Sequence, residues 1–415
     1  MTADDASTTT LYVEDAAYWS GVVSRPQVIE DDLGVRVVPG ATIFPLRPGV
    51  DGLQGMVTDS DGLFVAGHRR RIDASAEPVG GEPVDSGATV RRVRETVVWA
   101  GGRVDTEHFG HFLTEGLSRL WWGVENRPRL RTAFTAPGRA FGDVHMRLLS
   151  LLGLPRDELY LVEEPTQFDA VIIPDQALYL EGGEIHPAHM RSTYDAIRDS
   201  VAPADVSKVY LTRGKLNLGW TRDANEEMLE SFYEQQGYEV VGPETLPVEA
   251  QVALMAGARE VACTLGTLSH LTMFCHEGAK VSIILRDKRY RAPVQWSMNR
   301  SRDADVSVVD CLAPILPADN FVGARYYTTT PHWIRYAKEQ FGVDVPVQER
   351  EEFLTDYVQN WCEVMSGNMP SDRAKRIPAW TVHDFVDAFS KYYLGEPLDK
   401  QASERLVALF GTGAR

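Results

Sequence analysis

The amino-acid sequence predicts an α/β protein, built from two successive α/β halves that are followed by a helical end. Between residues 208 and 286, short apolar runs typical of strands alternate with longer stretches of helical periodicity. A looser alternation of the same kind precedes residue 190, and four helical stretches follow residue 331. The chain of 415 residues is long enough for two or three domains.

The second half gives the clearest pattern. Its predicted strands are Lys208–Arg213, Tyr238–Val241, Arg259–Leu265 and Lys280–Arg286. Its predicted helices are Asp223–Gln236, opened by Thr221 or Asp223 as the N-terminal cap, Val248–Ala256 and Leu268–His276. Because four strands separated by three helices require crossover connections, we expect a mostly parallel sheet with helices on both faces.

The first half is less regular, with short strands broken by glycine and proline before a helix at about residues 107–124. A stretch with two glycines and a proline at residues 181–195 is the expected linker. We therefore expect three regions. They are an N-terminal α/β domain with irregular strands at 1–190, a Rossmann-like domain at 191–330 and a helical region at 331–415.

Charge and composition exclude several classes of protein. Lysine and arginine total 42 and aspartate and glutamate total 59, which gives a formal net charge of −17. A nucleic-acid partner is therefore not expected, because such a partner requires clustered positive charge. No run approaches the roughly 20 apolar residues of a membrane span. The four cysteines form no metal-binding or disulfide pattern, and the N-terminus has no secretory pattern. We expect a cytoplasmic protein, with peripheral attachment at the inner membrane face left open.

The helix from His108 to Trp122 combines an apolar stripe with an unusual polar one. His108, His111, Glu115 and Arg119 line up on the polar side at helical spacing. Two histidines, an acid and an arginine in register are typical of a cleft wall. Two other interpretations stay open: a solvated face with local ion pairs, and a metal site formed by the two histidines and the glutamate.

A second group of polar residues follows the strand that ends at Arg213. Ligands bind at the carboxyl ends of strands in open parallel sheets, and Arg222 lies close to a predicted helix start. Two guanidiniums in such a place suit a diphosphate, and Asn225 and Glu226 are further candidates for contact with the ligand. The alternative is a pair of surface arginines bound to Asp223 or Glu226.

A third group follows the strand that ends at Leu265. Gly266 permits close approach of a ligand to the backbone, Thr267 can cap the following helix, and His270 falls in its first turn. A packed structural histidine is an equally good interpretation of His270. The acidic pair Asp303 and Asp305 matches the D-x-D pattern of metal-dependent sugar transferases, but short acidic matches are frequent in so acidic a chain.

Several of these segments, taken in order, resemble the motifs of one protein family. They are HFGHFLTEGLSRL from His108 to Leu120, LGLP from Leu152 to Pro155, Thr212-Arg213, Arg222 to Glu226, Gly237 to Val241 with Pro243-Glu244, and Leu265 to Thr267. The ordered set covers about residues 99–286. It resembles the family 61 glycosyltransferases, including bacterial members linked to capsular polysaccharide synthesis.

The resemblance implies a GT-B architecture, in which two Rossmann-like domains enclose a ligand cleft. It also implies a nucleotide-sugar donor (a UDP-sugar is the first expectation), a glycan or other hydroxyl acceptor, inversion at the anomeric carbon, and no cofactor or required metal. Region 1–190 then takes the acceptor side and region 191–330 the donor side. Surface or capsular polysaccharide synthesis is the expected role.

Each polar group then receives an expected role. Arg213, Arg222 and the Gly266-Thr267 turn bind the donor diphosphate. We expect His111 to act as the base or to bind the acceptor, with Glu115 holding it. His108, Arg119, Asn225, Glu226 and His270 contribute further substrate contacts. Two other hypotheses are a metal-dependent hydrolase built on His108, His111 and Glu115, and a non-catalytic module that binds sugar nucleotides.

Overall fold

A computed structural model describes most of the chain up to residue 347. The described residues are 8–25, 28–49, 52–63, 65, 87, 89–101, 109–135, 142–179, 183–214, 216, 221–287, 291–313, 323–347 and 404. The expected helices beyond residue 348 lie outside this part, as does His108.

The described residues form fifteen strands and ten α-helices, with short 3₁₀ and π segments between them. The strands are β1 (Thr9–Tyr12), β2 (Val35–Pro39), β3 (Thr42–Gly49), β4 (Gly52–Thr58), β5 (Arg91–Gly101), β6 (Arg131–Phe134), β7 (Leu159–Leu161), β8 (Thr166–Pro174), β9 (Lys208–Leu211), β10 (Thr221–Ala224), β11 (Glu239–Val241), β12 (Glu260–Thr264), β13 (Lys280–Ile284), β14 (Asp305–Val309) and β15 (Gly323–Tyr326). The helices are α1 (Ala16–Val23), α2 (Phe109–His111), α3 (Trp121–Asn126), α4 (Asp143–Leu151), α5 (Pro187–Arg198), α6 (Glu226–Gln235), α7 (Val248–Gly257), α8 (Thr267–His270), α9 (Pro293–Ser301) and α10 (Pro331–Phe341).

The second half forms a six-stranded, wholly parallel sheet, which confirms the α/β prediction. Its strand order is β1-β14-β13-β12-β9-β11. The four strands expected from the sequence are all present, shortened by one or two residues. One edge strand was not expected, because β1 comes from the far N-terminus and pairs with β14, with Thr9 opposite Val306. The parallel sheet therefore takes its edge strand from the region that we had assigned to the first domain.

The first half forms a separate seven-stranded mixed sheet. Its main path is β4-β3-β8-β5-β6-β7, with β2 paired to β8. Strands β5 to β8 include parallel pairs, whereas β2, β3 and β4 pair antiparallel. Buried valine and isoleucine side chains, together with Trp99, form the core on one face of this sheet. The two halves thus differ in kind: one sheet is wholly parallel and the other mixed.

A shared core joins the two sheets. Leu113 and Leu149 from the first half pack in one apolar cluster with Leu211 and Cys263 from the second. Helix α5 lies in this cluster through buried residues that include Tyr194. The prediction of a linker at residues 181–195 is therefore wrong in its second part, where the chain forms a packed helix that starts at Pro187. The predicted boundary at residue 190 falls inside this helix.

Helix α6 begins later than predicted. Residues 221–224 form strand β10, which pairs in parallel with β15, and Asn225 takes the N-terminal cap position with a left-handed φ of 59°. The prediction of Thr221 or Asp223 as the cap is therefore wrong. A strand pair whose partners lie about a hundred residues apart leaves no local sequence signal. Among the described residues, no helix is long and apolar enough to cross a membrane.

Candidate active site at the carboxyl edge of the parallel sheet

Neighbouring strands of the parallel sheet end in polar residues at one edge. Strand β9 leads into Arg213, β12 into Gly266 and β13 into Arg286. Because all strands of this sheet run the same way, these residues meet at a single edge, where open α/β sheets bind ligands. Arg286 is the nearest heavy-atom neighbour of a Cβ built on Gly266, with its Nη1 at 3.4 Å.

Three guanidiniums surround the carboxylate of Asp223 at this edge. Asp223 Oδ2 lies 3.0 Å from Arg213 Nε and 3.0 Å from Arg286 Nε. Arg286 Nη2 donates to Oδ1 over 3.2 Å, and Arg325 Nη1 lies 3.6 Å from the same oxygen. We call these four residues the arginine cluster. Three positive charges and one negative charge leave a surplus of two positive charges.

The exposure of these side chains decides which of them can reach a ligand. The Asp223 and Arg325 side chains are each 3% exposed, whereas those of Arg213 and Arg286 are 14% and 15% exposed. Arg325 also donates from Nε to the carbonyl oxygen of Arg286 over 2.8 Å, so it supports the cluster from beneath. Within the described part of the chain, the nitrogens of Arg213 and Arg286 that do not contact Asp223 have no hydrogen-bond partner.

The charges of the cluster stabilise one another. Burial acts to raise the pKa of the Asp223 carboxyl, but Arg286, Arg325 and Arg213 outweigh burial and lower that pKa. Burial likewise acts to lower the pKa of Arg286, and Asp223 raises it above its ordinary value. Burial and the charge of Arg286 lower the pKa of Arg325, against the opposing effect of Asp223. Asp223 and Arg286 thus hold each other in their ionised forms.

Glu226 lies beneath Arg213, fully buried. Its Oε1 accepts hydrogen bonds from the Arg213 backbone N–H at 2.7 Å and from the Tyr210 hydroxyl at 3.1 Å. Burial raises the pKa of this carboxyl to about 7, and Asp223 adds to the rise. Because it is buried, Glu226 cannot make the direct substrate contact that the sequence led us to expect. It supports the backbone at Arg213 instead.

The turn after β12 has a conformation that requires glycine. Gly266 has a φ of 136°, in the region that L-residues rarely adopt. The Ser269 hydroxyl oxygen lies 2.7 Å from the Gly266 carbonyl oxygen and 2.7 Å from Gln295 Oε1, which compete for its one proton, and it accepts from the Gly266 backbone N–H at 3.2 Å. The α-helix that follows has only four residues and continues as a 3₁₀ turn at Leu271–Phe274. The α-helix expected to reach His276 therefore ends at His270.

The first helix of the sequence motif packs against this turn. A Cβ built on Gly110 would lie 2.7 Å from Thr267 Oγ1 and 3.4 Å from His270 Cδ2. On the same segment, His111 Nδ1 lies 2.7 Å from Glu115 Oε2, so the predicted contact between these two side chains is confirmed. The His111 side chain is 30% exposed and that of Glu115 is 4% exposed. His111 thus faces outward beside the turn, and Glu115 holds it from within.

The helix changes type within the motif. Residues Phe112–Gly116 form a π-helical turn, a feature frequent at functional sites. A Cβ on Gly116 would lie 2.6 Å from the buried ring of Phe112, so the turn needs glycine there. The expectation that Arg119 lines an open cleft does not hold, because its side chain is buried and donates to the carbonyl oxygen of Pro174.

His270 joins a network of buried amides and hydroxyls. Its Nδ1 lies 2.8 Å from Oε1 of Gln295, a fully buried residue of α9. Burial lowers the pKa of His270 to about 4, against a smaller opposing effect of the Gln295 hydrogen bond, and His111 adds to the lowering. His270 is therefore a neutral imidazole at neutral pH.

The other residues expected at the site have different places. Arg222 lies in β10 next to Asp223, and its side chain is outside the described part. Asn225 donates from Nδ2 to the Tyr327 carbonyl over 2.8 Å, which ties α6 to the end of β15. Sequence reasoning missed Arg286 and Arg325. Arg286 is the last residue of a predicted strand, as Arg213 is. The argument that ligands bind at the carboxyl ends of parallel strands could therefore have found it.

No metal centre is formed by the residues that the structure describes: no group of three or more histidine, cysteine, aspartate or glutamate side chains could hold an ion. His108, one member of the expected three-ligand set, lies outside those residues. In the D-x-D segment, Asp303 lies in a turn with a φ of 49°, and Asp305 starts β14 and accepts from the Thr8 hydroxyl.

A comparison with known families finds a match to the central part of the chain. The model of the family Glycosyltransferase 61 matches residues 109–282, from the His111 helix through the Gly266 turn into β13. Over this segment the chain is similar to the glycosyltransferases of family 61, in agreement with the sequence resemblance. The segment makes up less than half of the chain. Arg286 and Arg325 lie beyond the matched segment.

Solved structures similar to the chain include two of one bacterial enzyme. They are the iron-containing dodecameric glycosyltransferase TibC from enterotoxigenic E. coli H10407, and the dodecameric iron-containing heptosyltransferase TibC in complex with ADP-D-beta-D-heptose. Each is 12% identical to the chain, with TM-scores of 0.25 and 0.26. The matches cover 62% and 63% of this chain and 79% and 80% of those chains. No curated protein matches the chain in sequence.

Proposed function

We propose that the protein transfers a sugar from a nucleotide-sugar donor to a hydroxyl group of a glycan, with Arg213 and Arg286 binding the donor diphosphate. The observation that carries this proposal is the arginine cluster at the carboxyl edge of the parallel sheet. A guanidinium presents donors in a fork that matches two phosphate oxygens. Gly266, directly beside Arg286, lets the diphosphate approach the backbone closely.

The positive surplus of the cluster has a chemical use. When the bond between the sugar and the diphosphate breaks, negative charge develops on the leaving oxygen, and preorganised positive groups stabilise it. Arg213 and Arg286 supply this charge at the surface of the site, with Arg325 behind them. A divalent ion is then not needed for this step, and we propose that transfer is independent of metal.

The base is His111 in this proposal. An acceptor hydroxyl oxygen attacks the anomeric carbon from the face opposite the diphosphate, which inverts the configuration. As the new bond forms, the hydroxyl proton passes to Nε2 of His111. Glu115, 2.7 Å from Nδ1, accepts the hydrogen bond from that nitrogen and stabilises the imidazolium.

We propose a GT-B arrangement for the two halves. In this proposal the mixed sheet and the His111 helix take the acceptor side, and the parallel sheet takes the donor side. The cleft lies where the segment Phe109–Gly116 packs beside the Gly266 turn. A UDP-sugar donor, surface or capsular polysaccharide synthesis and a cytoplasmic location complete the proposal. The buried free thiols of Cys263, Cys275 and Cys311 support such a location.

A thermal-shift panel of nucleoside diphosphates and nucleotide-sugars, run with excess EDTA, tests the proposal. A ligand at 100 times its Kd stabilises the folded state by about 2.7 kcal/mol. We expect at least one nucleoside diphosphate to raise the melting temperature and the matching nucleotide-sugar to be slowly hydrolysed. Binding without any turnover would instead favour a non-catalytic module. Stoichiometric zinc in the purified protein would favour a metal-dependent hydrolase.

A further inference from the structure

A buried amide fixes the orientation of the His270 ring. Gln295 Nε2 donates to the Ser269 carbonyl oxygen over 2.9 Å and to Asn299 Oδ1 over 2.9 Å. A backbone carbonyl can only accept a hydrogen bond, so the nitrogen of this amide must face Ser269. A flipped amide would place two oxygens in contact there. The other end of the Gln295 side chain, which faces His270, is therefore the oxygen.

The amide orientation determines the tautomer of His270. Because Gln295 Oε1 accepts, His270 Nδ1 must carry a proton and donate over the 2.8 Å contact. Burial keeps the pKa of the ring at about 4, so the ring carries only that one proton near neutral pH. Nε2 then bears a lone pair. His270 is consequently a hydrogen-bond acceptor at Nε2 across the physiological pH range.

His270 lies between the Gly266 turn and the segment that carries His111. The residue is partly exposed and lies four places after Gly266, which itself lies next to Arg286. On its other side the ring packs against Gly110, one residue before His111. In the proposed function, the diphosphate lies at Arg286 and the base at His111. The transferred sugar must bridge the two, and His270 lies between them.

We propose that His270 accepts, at Nε2, a hydrogen bond from a hydroxyl group of the transferred sugar, and that Gln295 is the positioning residue that holds the ring in the required tautomer. This inference rests on the proposed function, because it needs a donor diphosphate at Arg286. It adds a recognition contact for the sugar that neither the base nor the arginine cluster supplies.

The first test compares two ligands for each variant: UDP, and the UDP-sugar that the parent protein hydrolyses fastest among UDP-glucose, UDP-galactose and UDP-N-acetylglucosamine. Loss of one hydrogen bond to the sugar predicts that His270→Ala binds the UDP-sugar about tenfold more weakly. Affinity for UDP should stay within twofold of the parent. His189→Ala, which alters a histidine of α5 bound to Glu125 of α3, is the matched control and should change neither.

The second test uses Gln295→Glu, which places a carboxylate against His270 Nδ1. The carboxylate stabilises the imidazolium, so Nε2 gains a proton as the pH falls and can no longer accept. Among the described residues, His111 is the other ionisable group that acts on the ring. The same affinity ratio measured for His111→Ala at each pH shows how much of any change comes from His111. We expect the ratio of UDP-sugar to UDP affinity to fall between pH 8 and pH 5 in Gln295→Glu, and to stay flat in the parent.

The outcomes separate this inference from the proposed function. If His270→Ala weakens UDP and the UDP-sugar equally, or if Gln295→Glu shows no pH-dependent ratio while it melts as the parent does, the inference is wrong and the proposed function stands. If the parent binds neither UDP nor any of the UDP-sugars, with ADP and GDP equally inactive, the proposed function fails and the inference fails with it.

Discussion

Replacing Glu226 by glutamine is expected to stabilise the protein more at pH 8 than at pH 5. The carboxyl of Glu226 is fully buried, and burial raises its pKa from the ordinary 4.5 to about 7. Between those two pH values the unfolded chain has lost this proton and the folded protein still holds it. The free energy of unfolding therefore falls as the pH rises through this window. Above pH 7 this carboxyl causes no further change.

The magnitude follows from the same two pKa values. For each pH unit within this window, the free energy of unfolding falls by about 1.4 kcal/mol. Across the whole window it falls by roughly 3 kcal/mol. Glutamine has the shape of glutamate and keeps an oxygen that can accept from the Arg213 N–H and the Tyr210 hydroxyl, but it does not ionise. The variant should therefore lack this pH-dependent penalty.

Urea unfolding of the parent and Glu226→Gln at pH 5, 6, 7 and 8 measures the effect. The difference in the free energy of unfolding should grow by about 3 kcal/mol in favour of the variant across this range. Glu234→Gln, on the exposed face of the same helix, is the matched control and should follow the parent. Parallel profiles for the parent and Glu226→Gln would refute the reasoning that the buried carboxyl titrates near pH 7.

Three further predictions concern metal, the base and the π-helical turn. Transfer should survive excess EDTA, and Asp303→Ala and Asp305→Ala should retain parental turnover; full loss on chelation, restored by manganese, would contradict the metal-independent mechanism. His111→Ala should lower turnover by about 10²–10⁴ with donor affinity intact, and Glu115→Gln should lower it less; turnover of both within threefold of the parent would make the pair structural. Gly116→Ala should destabilise the protein by about 1–3 kcal/mol in urea unfolding, because the added methyl collides with a buried phenyl ring; an unchanged midpoint would show that the turn relaxes freely.

Local sequence patterns predicted the parallel sheet well. The strands at Lys208–Leu211 and Lys280–Ile284 are short segments rich in valine, isoleucine, leucine and tyrosine, and such segments are typical of buried parallel strands. Strand β1 is a short segment that begins with two exposed threonines, and it pairs with β14 nearly three hundred residues later, which local patterns cannot reveal. Strand β10 escaped prediction for the same reason, and its pairing with β15 moved the start of α6.

The candidate site was predicted in part. Strand-end position was enough to single out Arg213, and helical spacing was enough to predict the contact between His111 and Glu115. The sequence favoured Glu226 as a ligand contact, yet its side chain is fully buried and accepts hydrogen bonds from the Arg213 backbone and the Tyr210 hydroxyl. The prediction failed wherever a role depended on tertiary burial rather than on local spacing.

Titration calorimetry of UDP, ADP and GDP against the parent, Arg213→Ala and Arg286→Ala in the presence of EDTA tests the central claim, that the arginine cluster binds a donor diphosphate. Arg131→Ala, which removes an arginine bound to Glu95 on the mixed sheet, is the matched control. We expect at least one nucleoside diphosphate to bind the parent and the control equally, and to bind each cluster variant about ten- to a hundredfold more weakly. Equal affinity of the parent, Arg213→Ala and Arg286→Ala for that ligand would contradict the claim.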